Sequence, residues 1–310
     1  MFMSAPASTP KPPSIPAEPI RIAHDRGSGR VWRQRLMNWL RETMIWIKRL
    51  ANVREPLPRA ASLGLAVAGF LTCLALYAWI SSRPGNNPLF VPPLHRLWEV
   101  ARDTLSSGTI WNDLLASFLR VSVGFLLAAI VGIPFGLAIG AFRAAEAVTQ
   151  PVIEFLRYVP VPALIPLIMV FFGIEEGAKV ALIFIGTFFQ LALMVADEVR
   201  RVPHELVQAA QTLGARRREV VLLVLLRGAL PGIFNALRLC NGWAWTYVIV
   251  AELVASTSGL GFRTLRFYRF IQTPNIFVYL ALLGFVGLVL DLAFRTLNAR
   301  LFHWAESTRR

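Results

Sequence analysis

Glu205, Gln208, Ala209, Ala210, Leu213 and Gly214 fall within one short polar stretch, ELVQAAQTLG, set between two long apolar blocks. Their types suit docking rather than bond-making. A carboxylate and an amide can hydrogen-bond a partner, two adjacent alanines let another backbone or groove come close, and a leucine offers surface to bury. Pro203 fits the first helical turn, where its missing N–H costs nothing, and Gly214 can close the helix from a left-handed conformation. Leu206, Val207, Ala210 and Leu213 recur at spacings of three and four, which predicts one apolar face about three turns long. Glu205 either contacts the partner or favours the positive end of its own helix.

Two further constellations suit the handling of a solute. Asn235, Arg238, Asn241, Trp243, Trp245, Thr246 and Tyr247 bring polar and aromatic groups into an otherwise apolar block, as the wall of a passage would require. Asn235, Arg238, Asn241 and Trp245 are the candidate pathway residues, although Arg238 is also long enough to snorkel to a surface. Arg263, Arg266 and Arg269 form an acid-free cluster at intervals of three, expected on the outer side. That cluster suits anionic solutes or an acidic partner, and equally the phosphate headgroups of lipid.

Catalytic machinery is not visible. There is no nucleophile elbow, no HExxH and no clustered His/Cys set, and GIEEGAKV fails the GxxxxGK[ST] spacing of a phosphate loop. Cys73 and Cys240 lie in apolar blocks and read as small hydrophobes, without a disulfide framework or metal site.

The elements that must position these residues are membrane helices. The 310-residue chain is 55% hydrophobic and 16% charged, outside the range of ordinary soluble domains. Six apolar blocks, near residues 62–80, 119–141, 151–172, 178–196, 229–254 and 275–294, approach the roughly 20 residues a spanning helix needs. Lys and Arg number eleven before residue 62, six in 197–227 and four from 295 onward. The alternate segments 82–118, 173–177 and 255–274 carry three, none and three. Positive charge is retained inside, so both termini and the Glu205 stretch are expected on the cytoplasmic side. The net charge of +14 then follows from these flanks, and nucleic acid is not an expected partner. Arg216, Arg217 and Arg218 suit the same side, at headgroups or on a partner.

Residues 1–30, rich in Pro, Ser, Ala and Gly, read as a disordered cytoplasmic tail without the apolar core of a signal peptide. In 31–60 the residues Trp32, Leu36, Trp39, Leu40, Ile47 and Leu50 share a face, the pattern of an interfacial amphipathic helix or of a soluble helix packed on the rest. The transmembrane region then runs over 61–300, with a cytoplasmic tail at 301–310. Gly124, Ala128, Gly132, Gly136 and Gly140 form a small-residue stripe for close helix packing, and Pro134 interrupts that helix. Pro160, Pro162 and Pro166 predict a kink or local unwinding in the third span. No Asp or Glu is expected deep in a span, since Glu154, Glu252 and Asp291 fall near span ends within reach of water or headgroups.

Several blocks together resemble the permease subunit of ATP-binding-cassette importers of the nitrate, sulfonate, taurine and bicarbonate branch. They are SFLRVSVGFLLAAIVGIPFGLAIG, PVPALIPLIMVFFGI, the Glu205 stretch, LPGIFNALRLCNGWAW, AELVASTSGLGF and LVLDLAFRTLNARLFHW. They cover about two thirds of the chain. The resemblance implies an all-α membrane fold of about six spans, of the type I importer kind, in a bacterial inner membrane. It implies that 203–214 is the EAA coupling helix, with Gln208 where Glu is usual and Arg227 where a Pro is common. It further implies an ATPase subunit inside, a substrate-binding protein outside, a second copy of the chain, and no cofactor or catalysis in this chain, ATP being bound by the partner. The substrate implied is a small oxyanion or sulfonate. A self-contained secondary carrier or channel is the alternative reading.

Overall fold

The computed structural model describes residues 59–254 and 256–308, and every regular element among them is helical. The expected tail at 1–30, the expected interfacial helix as far as residue 58, and the end of the 301–310 tail lie outside the described residues. Two compact units are distinguished, Met1–Tyr77 and Ala78–Arg310. The first is represented by most of α1 (Arg59–Ser81), which carries no charge from Ala61 onward and is long and apolar enough to cross a bilayer.

The second unit continues with α2 (Leu94–Ser106), α3 (Thr109–Ala141) and α4 (Arg143–Arg157). A 3₁₀ turn at Val161–Leu164 leads into α5 (Ile165–Phe172), followed by α6 (Glu176–Arg200) and α7 (His204–Thr212). A single turn, α8 (Arg217–Glu219), opens through a π-helical stretch at Val220–Leu225 into α9 (Leu226–Val254). The described chain ends with α10 (Leu260–Arg269), α11 (Thr273–Leu301) and a 3₁₀ turn at His303–Thr308. Five described helices are long and apolar enough to span, or six if α4 with α5 counts as one broken span.

The core is built where α3, α6 and α9 meet. The small-residue stripe of α3 lies on α6: a Cβ at Gly124 would sit 2.7 Å from the side chain of Ile183, and one at Gly140 would sit 2.7 Å from that of Val199. Ala128 between them is fully buried. Around this contact Val121, Phe125, Ile183, Leu191, Val195, Ile233, Ala236 and Val248 form one continuous apolar cluster. Lipid tails are as apolar as leucine, so it is this close backbone approach and the dispersion contacts it allows that hold the helices together.

Pro134 does not interrupt its helix. α3 runs unbroken through it, because the packing of Gly132 and Gly136 on α6 holds the helix together on either side of the missing N–H. The third span, by contrast, is cut: α4 and the segment Val161–Phe172 meet at 90°. Pro160 and Pro162 each withhold a backbone donor there, and Val159 and Ala163 close only short turns onto Leu156 and Pro160. Around Arg227 the helical ladder is also irregular, since the π stretch immediately precedes it and Pro231 lies inside α9.

Candidate functional site

The polar stretch that begins at Glu205 folds as α7. Pro203 stands just outside the helix as its N-cap residue, and Gly214 closes it with φ +82°, a conformation glycine adopts without strain. The Gly214 N–H donates to the Gln211 carbonyl at 2.9 Å and the Ala215 N–H to that of Ala210 at 3.0 Å, which satisfies carbonyls left open at the helix end. The four apolar residues divide. Val207 and Ala210 are half-buried on the side where α7 meets the π stretch, whereas Leu206 and Leu213 remain 51% and 88% exposed. Glu205, Gln208 and Ala209 are exposed as well, and the space around Gly214 is open. Six residues singled out for docking therefore share one short helix and its cap, with five of them facing outward.

Near the start of α3 the structure holds a buried ionic network. Asp113, Ser117 and Arg120 lie on one face of that helix, and Glu252, near the end of α9, is wholly buried beside them. Ser117 Oγ donates to Glu252 Oε1 at 2.7 Å, Arg120 Nη1 donates to the same oxygen at 2.7 Å, and the Gly261 N–H donates to Oε2 at 2.8 Å. Arg120 also donates to the Ser258 carbonyl at 2.8 Å and to the Glu176 carboxylate at 2.5 and 2.8 Å, where Lys179 joins at 2.7 Å. Asp113 accepts from Arg263 Nε at 2.7 Å, from Tyr279 Oη at 3.1 Å and from the Gly259 N–H at 3.1 Å. Its carboxylate holds the Arg263 guanidinium above the ordinary arginine value.

Two expectations are corrected by this network. Glu252 is not within reach of water, because the chain after Val254 folds back and Gly259–Gly261 covers it. A Cβ on Gly259, whose φ is +113°, would collide with the Glu252 carboxylate. Nor is the Arg263 cluster without acids: Arg263 is committed to Asp113, while Arg266 and Arg269 are exposed with no carboxylate partner among the described residues. The signal that sequence reasoning missed is the spacing of Asp113, Ser117 and Arg120, three polar groups on one stripe of an otherwise apolar helix.

The candidate pathway residues of α9 separate onto different faces. Arg238 Nε lies 3.3 Å from Asp291 Oδ1 on α11, and Asp291 also pairs with Arg295 at 2.8 Å. Trp245 is buried against Phe118, ring centroids 6.3 Å apart. Asn235 and Asn241 are half-buried, with no hydrogen-bond partner for their side chains among the described residues. Trp243, Thr246 and Tyr247 instead line a cavity of about 240 Å³ with Arg157, Val161, Gly186, Phe189 and Gln190. Gly186 makes room there for the Tyr247 ring, which a Cβ would approach to 2.7 Å. Among the described residues no group of three or more His, Cys, Asp or Glu side chains is placed to hold a metal ion.

Residues 132–304 match the family described as the binding-protein-dependent transport system inner membrane component. The chain is 34% identical over 256 residues to the taurine transport system permease protein TauC of Escherichia coli, covering 81% of this chain and 92% of that one. It is 32% identical over 237 residues to the bicarbonate transport system permease protein CmpB of Synechococcus elongatus, covering 73% and 85%. Among solved structures, an inward-facing MetNI methionine ABC transporter aligns with a TM-score of 0.53 at 21% identity, over 67% of this chain and 98% of that chain, which shows a shared fold.

Proposed function

The chain belongs to the family of binding-protein-dependent transport system inner membrane components, and we propose that the solute it carries inward is a small oxyanion or an organic sulfonate. It is a membrane-spanning permease subunit of an ABC importer. Its substrate class rests on relatives named for taurine, itself a sulfonate, and for bicarbonate. Subunits of this kind work with an ATPase and an external binding protein. In our reading ATP is held by the ATPase and this chain carries no catalytic step and no cofactor of its own. Two copies of the chain form the passage, both termini face the cytoplasm, and lipid surrounds the outward faces. Arg266 and Arg269 then lie on the outer side, available to an anionic solute or to an acidic patch on the binding protein.

The observation that carries the coupling role is α7 itself, a capped helix whose Leu213 is 88% exposed beside the open position of Gly214. An exposed leucine next to a cap with free space around it fits a groove on another protein. Movement of that groove on ATP binding would be transmitted through the π stretch into α9 and switch the passage between inward- and outward-open states. Gly214→Glu should leave the chain inserted in the membrane while separating ATP hydrolysis from uptake. Uptake at the wild-type rate in that variant would remove the docking role.

A further inference from the structure

Arg157 occupies an unusual place. It is the last residue of α4, at the break where the third span turns by 90°, and its side chain lines the cavity shared by α4, α6 and α9. Ile185, Gly186, Phe189 and Gln190 of the cavity wall fall in the middle of the 25-residue α6. About 10 Å of helix therefore separates the cavity from Lys179 on one side and from Asp197 on the other, so Arg157, which is exposed in the single subunit, sits within the apolar stretch of the span. The guanidinium touches its neighbour Tyr158, donating to the hydroxyl at 3.3 Å and lying 5.1 Å from the ring centroid, and it meets no carboxylate among the described residues. The negative end of α4 lies beside it but supplies no full counter-charge.

An arginine at that depth is not expected to face lipid, and its default reading is a functional one. The rest of the wall strengthens this. Gln190 offers an amide with no hydrogen-bond partner among the described residues, and Tyr247 and the Trp243 indole add further donors. Among the described residues no Asp or Glu lines the cavity. The charges that the fold does neutralise are elsewhere, in the network around Glu252 and in the Arg238–Asp291 pair. We infer that Arg157, with Gln190, forms an anion-binding subsite inside the passage, holding the carboxylate-like or sulfonate head of the solute by its positive charge and a charge-assisted hydrogen bond. This rests on the proposed anion-importer reading and adds to it a selecting group in the permease, independent of the binding protein.

The test is uptake by the complete transporter, this chain with its ATPase and binding protein, in proteoliposomes. The probes are labelled taurine, ethanesulfonate, nitrate and bicarbonate, and stimulated ATP hydrolysis is read in parallel as evidence of assembly. Arg157→Gln should lower uptake of the transported anion by about tenfold or more, the scale of one charge-assisted hydrogen bond, with ATP hydrolysis retained. Arg157→Lys should recover most of the rate. Undiminished uptake in Arg157→Gln overturns the subsite and leaves the importer reading standing. A loss that Lys does not repair also overturns it, because the requirement would then be shape rather than charge. A wild-type complex that imports none of the four anions overturns both. Should Arg157→Gln fail to assemble, Gln190→Ala decides: uptake reduced about threefold or more at unchanged hydrolysis supports the site, and unchanged uptake removes it.

Discussion

Glu252 can remain a buried anion only because Arg120, Ser117 and the Gly261 N–H all point at it. Arg120 is itself nearly buried, so the pair exchanges two solvation shells for one contact and a set of hydrogen bonds. Such pairs add little over a well-packed apolar substitute, but removing one partner strands the other. Arg120→Met should therefore lower stability by about 3–5 kcal/mol, whereas Arg120→Met with Glu252→Leu should recover much of that loss. Thermal unfolding of the purified subunit in detergent checks this, and equal damage in the single and double variants would show that the network does more than neutralise charge. The residues of this network were the least legible in the sequence. Hydropathy put Glu252 at the edge of an apolar block, and nothing local shows that the following loop folds back over it. Arg263 looked unaccompanied because its acid lies far away in the chain, at Asp113. By contrast, the docking residues were legible because they are neighbours in sequence and their helix is closed by its own glycine.

Among the elements, α3 and α6 illustrate how a stripe of small residues sets the distance between two helices. The positions are not equivalent. A Cβ at Gly132 would meet Leu191 at 3.4 Å, ordinary contact with a side chain, while one at Gly136 would collide with the Ala192 carbonyl, which cannot swing aside. Replacing helical glycine by alanine favours the helix by about 0.5–1 kcal/mol. At Gly132 that gain should prevail, so Gly132→Ala is expected to be neutral or mildly stabilising. At Gly136 overpacking of about 1–3 kcal/mol exceeds it, and Gly136→Ala should unfold at a lower temperature. A reversed order of the two midpoints would mean that the α3–α6 contact leaves room for a methyl group at Gly136. The stripe could be read from spacing alone, and so could the apolar blocks, because both are repeats within single helices. The consequences of proline could not. Pro134 is carried by flanking packing on α6, whereas Pro160 and Pro162 act together beside a glycine-free turn and cut the span. Which outcome follows depends on the neighbouring helix, and that is absent from the local sequence.

For the whole molecule the question is where the energy for uptake enters. A carrier driven by protons or sodium needs an acidic group that changes charge or ligation beside the passage. The buried carboxylates Asp113 and Glu252 are both occupied, one by Arg263 and Tyr279, the other by Arg120 and Ser117. The cavity at mid-helix has no carboxylate in its wall among the described residues. The two features are also separate, since the network closes the start of α6 through Glu176 while the cavity lies near its middle. No described acid is thus both free and beside the cavity, whereas α7 presents an exposed surface at which a second protein can push. Uptake by the reconstituted complex should accordingly continue when a protonophore or sodium-free medium collapses ion gradients. It should cease when the phosphate-loop lysine of the partner ATPase is replaced. Uptake that survives the ATPase lesion but falls with the proton gradient would place the driving force inside this chain and require an acid that the cavity does not contain.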